Sequence, residues 1–384
     1  MPLSRILPAA ACVVLIAAVA AAPALADPPW SAPTPVPGVA NGPAAATPSG
    51  NVLAFTDANR TQPPGTASQL LRIGAADGAV RSSVGVDLAS TAIAPYASDH
   101  VAVAGTSIGS SGTIDSGSRV RVGTVSGASG APALRTLSGT QSQNVTALVG
   151  NTRGDVALST RGGQTRVIWL KKRGSSTFAK VLTIRVSSTA RDVTVALSPD
   201  GQLLVVWEDK HEVFARHRGA RGTWGSAHRL GPGIQSDLRA AMDATGRMLV
   251  AWKSQRVSEG QSNAPAVVSF ITAAPGHGFG SRRTIETVGQ LGAGRFVASP
   301  GVRLAVTTRD QALLAWTGFD GAHFVVRAAP VSTGHVGARQ TLSPAGTDAV
   351  LGDAAVASDG RGLVLWRSSV AGADPVPGQQ PRVF

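Results

Sequence analysis

Residues 192–233 alternate short apolar runs with polar, turn-forming clusters: "DVTVALSPDGQLLVVWEDKHEVFARHRGARGTWGSAHRLGPG". The first run, "VTVAL", stops at Ser198-Pro199-Asp200-Gly201, where proline presets φ and glycine admits a positive one. "QLLVVW" is apolar on both faces, as a strand covered on both sides must be. "EVFARHR" follows a short polar tip, and "WGSAHRL" ends at Gly231-Pro232-Gly233. Four short runs with tight turns between them predict one four-stranded antiparallel meander.

The pattern recurs along the chain. "DLRAAMDATGRMLVAWK" (237–253), "RLAVTTRDQALLAWTG" (303–318) and "DAAVASDGRGLVLWR" (353–367) each repeat the first two runs. They place Trp207, Trp252, Trp316 and Trp366 at one equivalent position. In the more diverged N-terminal half, "NVLAFTD", "HVAVAGT" and "DVALST" read as the same second strand. Third strands follow as "QLLRIG", "RVRVGTV", "RVIWLKK", "VVSFITA" and "HFVVRAA". The spacing of roughly 45 to 65 residues is that of propeller repeats. Second strands near Leu53, Val101, Val156, Leu204, Leu249, Leu313 and Val364 predict seven blades. The seventh has "DAAVAS", "GLVLW" and "PRVF" but no fourth strand, and "WSAPTPVPG" (30–38) resembles one, Trp30 aligning with Trp224. The expectation is an all-β, seven-bladed β-propeller of four-stranded antiparallel blades. Its N-terminal strand completes the C-terminal blade and removes two sheet edges.

On "SPDG" and "LVVW", recurring over nearly the whole chain, the sequence resembles exported bacterial seven-bladed β-propellers. In general character it is near the Trp-Asp-repeat, TolB-type and sialidase-type propellers. The resemblance implies blade architecture and no function. The sialidase Asp-box is absent: "SPDGQLLVVW" differs from it in spacing and lies between first and second strands.

The first residues stand apart from this pattern. Arg5 precedes the apolar run "ILPAAACVVLIAAVAAAPALA", and Ala24-Leu25-Ala26 offers the small-x-small site of a signal peptidase. Residues 1–26 are therefore expected to be a signal peptide and 27–384 a single propeller domain, secreted or associated with the cell envelope. Cys12, the one cysteine, leaves with the signal, so the mature chain rests on burial and backbone pairing. No second apolar run reaches spanning length, and a monomer is expected.

Charge narrows the partners. The formal net charge is +13, nearly all of it arginine, with five lysines: Lys171, Lys172, Lys180, Lys210 and Lys253. An anionic envelope polymer suits this balance, but the arginines are scattered, as a coding bias toward Arg, Ala and Gly also leaves them; the partner expected is such a polymer or an unidentified protein. "RHRGAR" and "KKR" lack the interleaved aromatics that stack bases.

Candidate chemistry is thin. Asn144, Asp192, Asp237 and Asp353 each precede the innermost strand of a blade, the position that rings the mouth of a propeller's axis. Converging carboxylates there suit calcium or a cationic ligand; equally, each suits a bond to backbone N–H groups of the neighbouring blade. In "WEDKHEVFARH", Glu208 to His211 are expected at a solvated hairpin tip. His211 and His217, six apart, stand about 20 Å apart on a strand, too far for one metal. Trp30, Trp207, Trp224, Trp252, Trp316 and Trp366 all have repeat positions, which assigns them to packing between blades. Four glutamates and one tyrosine, Tyr96, supply no recognisable glycosidase pair, and no G-x-S-x-G, H-E-x-x-H or P-loop occurs. No catalytic residue and no cofactor is assigned.

The function expected is a non-catalytic binding scaffold. Its ligand face would be built from the long loops "DANRTQPPGTASQ", "SQRVSEGQSNAPA" and "SSVAGADPVPGQQ". The alternative is a polysaccharide-active hydrolase or lyase of sialidase-like architecture.

Overall fold

The structure is a computed structural model. It describes residues 41–47, 51–56, 68–74, 80–86, 88–96, 100–107, 118–126, 130–188, 190, 193–233, 237–255, 265–288, 301–306, 312–332, 335–356, 362–370 and 382–383. The expected signal peptide, the 30–38 strand with Trp30, Asp192 and most of the three long loops lie outside these residues.

The described residues form strands and no helix, in seven antiparallel sheets. Sheet 1 holds β1 (Asn41–Ala46), β2 (Asn51–Thr56), β3 (Ser68–Gly74) and β4 (Val80–Val86). Sheet 2 holds β5 (Ala89–Tyr96), β6 (His100–Thr106), β7 (Val120–Ser126) and β8 (Arg135–Thr136). Sheet 3 holds β9 (Asn144–Gly150), β10 (Val156–Gly162), β11 (Thr165–Lys171) and β12 (Ala179–Arg185). Sheet 4 holds β13 (Val193–Leu197), β14 (Leu203–Asp209), β15 (Glu212–Arg218) and β16 (Trp224–Pro232). Sheet 5 holds β17 (Asp237–Met242), β18 (Met248–Gln255), β19 (Ala266–Ala273) and β20 (Arg283–Val288). In sheet 6, β21 (Val302–Val306), β22 (Ala312–Phe319) and β23 (Phe324–Ser332) are edged by two short strands. These are β24 (His335–Val336) and β25 (Gln340–Thr341), both paired with β23. Sheet 7 holds β26 (Thr347–Val356), β27 (Gly362–Val370) and β28 (Arg382–Val383).

Each sheet is a meander in which consecutive strands are neighbours, except that β24 and β25 both lie along β23. The first strands of successive sheets also touch: β1 meets β5, β5 meets β9, and so on through β13, β17, β21 and β26, which meets β1. Among the described residues no sheet closes on itself. The fold is all-β and β-propeller-like, built from repeated antiparallel sheets.

The pattern of burial across a sheet follows from this stacking. Second strands are buried along nearly their whole length, as in β14 and β22, whereas fourth strands such as β12 and β16 are mostly exposed. Strand side chains alternate between faces, so each second strand serves two cores. Leu203, Val205 and Trp207 pack with Ile168 and Leu170 of sheet 3. Leu204 and Val206 pack with Val250 and Trp252 of sheet 5. Leu249 and Ala251 of sheet 5 then pack with Leu314 and Trp316 of sheet 6, and Ala355 and Leu365 of sheet 7 pack with Val52 and Ile73 of sheet 1.

The turns joining first to second strands repeat one design in sheets 3, 4 and 5. Asn151, Ser198 and Asp243 each accept, through the side chain, the backbone N–H of the residue four later, all at 2.9 Å. Gly154, Gly201 and Gly246 hold the left-handed position at φ 94, 87 and 84°. A residue with a Cβ is strained there, which is why "SPDG" and its relatives end in glycine. Asn151 Nδ2 also donates to Ser198 O at 2.9 Å, tying one turn to the next.

Candidate functional site

Three successive first strands bring charged side chains together. Asp237 opens β17, opposite Lys253 on β18. Its Oδ2 accepts the Val302 N–H at 2.9 Å and Arg303 Nη1 at 3.0 Å, both from β21. Its Oδ1 pairs with Arg239 Nη2 at 2.8 Å. Arg303 Nε then reaches Asp353 Oδ1 of β26 at 3.2 Å. One guanidinium of sheet 6 thus bridges carboxylates of sheets 5 and 7.

The electrostatics follow from burial and pairing. Burial by itself raises the Asp237 carboxyl, but Arg239, Arg303, the Val302 N–H and Lys253 outweigh it and hold it below the usual range. Burial lowers the Arg303 guanidinium, and Asp237 with Asp353 more than restores it. Lys253, 1% exposed, is pushed down to about 8 by burial, with Asp237 opposing the shift. Two carboxylates face two guanidiniums and one ammonium, so the group has no spare negative charge for a cation. Of the two readings for Asp237, the geometry realises the bond to a neighbouring sheet's backbone.

Asp353 does not precede its strand as expected. It lies inside β26, beyond a register shift between Leu351 and Asp353 that leaves Gly352 as the extra residue. Leu351 is the residue opposite Trp366, as Leu238 is opposite Trp252, so Val350 occupies the place matching Asp237. Asn144 opens β9, and its Oδ1 is buried without a hydrogen-bond partner among the described residues.

The polar run of sheet 4 is dispersed rather than convergent. β14 and β15 pair through to Asp209 and Glu212, leaving Lys210 and His211 as a two-residue turn with φ 48 and 65°. Glu208, expected at a solvated tip, is therefore inside β14 and 2% exposed. Asp209 Oδ1 accepts the Ser187 N–H of the preceding sheet's edge at 2.8 Å. Glu212 pairs with Arg229 at 2.6 Å, and His217 Nε2 meets Gln202 Oε1 at 2.8 Å. Burial lowers His217, with Asp200 pulling the other way. Among the described residues, no three His, Cys, Asp or Glu side chains are placed to hold one metal ion.

Trp207, Trp252, Trp316 and Trp366 lie buried on second strands. The Trp252 indole donates to Pro232 O of sheet 4 at 2.9 Å and Trp316 to Glu286 Oε2 of sheet 5 at 2.8 Å. Trp224, half-buried at the start of β16, donates to Val181 O of sheet 3 at 3.2 Å. Sheet 3 has Thr160 at the tryptophan position, and Trp169 of the third strand donates to its hydroxyl at 3.2 Å.

A second charged group lies between the outer strand of sheet 5 and sheet 6. Glu286 of β20, beyond accepting the Trp316 indole, pairs its Oε1 with Arg327 of β23. Arg339 stands 3.8 Å from Oε2. Gly318 of β22 makes room: a Cβ there would sit 2.7 Å from Oε1. Beside this group is a cleft of about 330 Å³, lined by Arg283 and Ile285 of β20, Trp316, Val336, Gly337 and Arg339 among others. Neither Glu286 nor its arginines were singled out in the sequence; the glutamate's rarity in the chain was the one available signal.

No protein-family model and no curated relative matches the chain. Solved structures do. A polysaccharide lyase of a new family, the PL25 ulvan lyase, is 11% identical with a TM-score of 0.55, covering 87% of this chain and 92% of its own. The same lyase bound to -[GlcA(1-4)Rha3S]- gives 0.52 at 11% identity and the same coverage. The Hadza microbial sialidase Hz136 gives 0.46 at 10% identity, covering 71% of this chain and 62% of its own. At these identities the likeness to the lyase is one of fold.

Proposed function

We propose that the protein is an exported seven-bladed β-propeller that acts on an anionic polysaccharide outside the cell or in its envelope. The seven sheets, with first strands touching in sequence from β1 to β26 and back to β1, support the blade count. Sheet 7 has three strands among the described residues, and in this reading the 30–38 segment, outside those residues, supplies its fourth. Export through residues 1–26 would remove Cys12, the one cysteine, and leave the mature domain to rest on burial and backbone pairing.

The observation that carries the substrate class is a likeness spanning 87% of the chain, in a protein of opposite charge to such a substrate. The lyase it matches was solved with a saccharide bearing glucuronate and sulfate, and this chain carries a net +13. Long-range attraction of that size concentrates a polyanion at the surface and fades as salt screens it. The test is to incubate the mature protein with uronate-bearing and sulfated polysaccharides. Absorbance near the ultraviolet band of unsaturated uronates reports a lyase, new reducing ends a hydrolase, and retarded migration in polysaccharide-loaded gels reports binding. Absence of all three with every acidic polysaccharide overturns the proposal.

A non-catalytic scaffold for the same ligand class is the second reading. Its support is the engagement of Asp237 and Asp353 by Arg239, Arg303 and the Val302 N–H, which leaves no free carboxylate in that group for acid–base work. It predicts retention with no new chain ends. Chelator should leave retention unchanged, because guanidiniums occupy the carboxylates a calcium ion would need.

A further inference from the structure

We propose that the cleft between β20 and the edge of sheet 6 is a binding subsite for one anionic sugar unit, its carboxylate or sulfate held by Arg283 and Arg339. The inference rests on the polysaccharide reading above and assigns it a place.

The first argument is charge. Among the described residues no carboxylate lines the cleft; Glu286 stands beside it, and its two oxygens are already occupied by Arg327 and the Trp316 indole. Arg339 therefore sits 3.8 Å from a carboxylate that another arginine has neutralised, and its side chain is 61% exposed. Arg283 is exposed and makes no ion pair among the described residues. Three arginines against one glutamate leave a surplus of two positive charges on the flanks of a concavity. Planar guanidiniums take carboxylate and sulfate oxygens two at a time, which fits them to acidic sugars better than to a simple monovalent anion.

The second argument is shape. The volume of about 330 Å³ lies at the lower end of the range for small-molecule sites, roughly 300–1,000 Å³. That is room for a saccharide unit with its chain running on across the surface. The walls between the arginines are Ile285, Val336 and Gly337, apolar surface suited to the C–H face of a pyranose ring. The floor is fixed: Trp316 is fully buried, and Gly337 packs so tightly on Pro330 that a Cβ would come within 2.7 Å of its ring. The ligand thus meets a packed floor flanked by two exposed guanidiniums.

The test uses the mature protein and a sulfated, uronate-containing tetrasaccharide prepared from heparin, with cellotetraose as the neutral control, read by calorimetric titration. Arg283→Ala with Arg339→Ala is compared with Arg135→Ala and Arg185→Ala, two exposed arginines of sheets 2 and 3 whose loss changes net charge equally. The subsite predicts at least a tenfold weaker affinity in the first double variant, less than threefold in the second, and no binding of cellotetraose. Equal losses in both variants would mean diffuse attraction and overturn the subsite while keeping the polysaccharide reading. Failure of the unaltered protein to bind the acidic tetrasaccharide and every acidic polysaccharide overturns both. Unchanged melting temperatures establish that the variants are folded.

Discussion

The inner group around Arg303 and the outer group around Glu286 use the same materials to different ends. Both join neighbouring sheets by a carboxylate that receives guanidinium and N–H donors. In the inner group two carboxylates meet two guanidiniums and the buried Lys253 ammonium, and each carboxylate is engaged by an arginine of a neighbouring strand or sheet. In the outer group one carboxylate meets Arg327 directly and Arg339 at a distance, with Arg283 beyond. A closed set of charges works as a fastening. A set with cations left over at an open cleft is equipped to receive something else.

The sharpest way to break this contrast is at Asp237. Asp237→Ala strands Arg303 with one carboxylate and leaves the Val302 N–H unmatched, so unfolding free energy should fall by about 3–5 kcal/mol in denaturant titration. A loss near zero would mean the inner group fastens nothing. Lys253 gives the next largest effect. Its folded pKa of about 8 lies below the ordinary 10.5, so the unfolded chain binds more protons between those values. Stability should therefore rise with pH across that window, by about 2–3 kcal/mol, and Lys253→Met should flatten the slope. Glu286→Gln keeps an acceptor for the Trp316 indole but removes the charge facing Arg327. It should cost about 2 kcal/mol by the same titration, less than Asp237→Ala. Smallest is Arg339→Ala, expected to change stability by no more than about 0.5 kcal/mol, since its contact is long and exposed. A large loss there would make the outer group a fastening too.

Much of the strand pattern was legible because burial on both faces leaves a plain mark. "EVFARHR" delimits β15 residue for residue, and each expected second strand lies second in its sheet. The spacing of apolar runs carries that information locally. Asp353 was misplaced because a single inserted residue, Gly352, shifts the register without disturbing composition. Arg239 and Arg303 were passed over inside apolar runs. Each in fact follows the residue opposite a repeat tryptophan, Leu238 for Trp252 and Val302 for Trp316, so the repeat frame held the clue. Glu286 was out of reach for another reason: Trp316 and Arg327, its partners, come from a different sheet, 30 and 41 residues on. Contacts between sheets depend on packing angle, which alternation along one strand does not encode.

Because second strands give one face to the sheet before and the other to the sheet after, apolar cores here are held in joint tenancy. Deleting one whole sheet would orphan two faces at once, and a fragment cut to a single sheet would have no interior at all. Rejoining the old ends and opening the chain in a different loop would leave every one of those cores intact. Tolerance of such permutation, alongside intolerance of excision, is the behaviour this shared ownership demands.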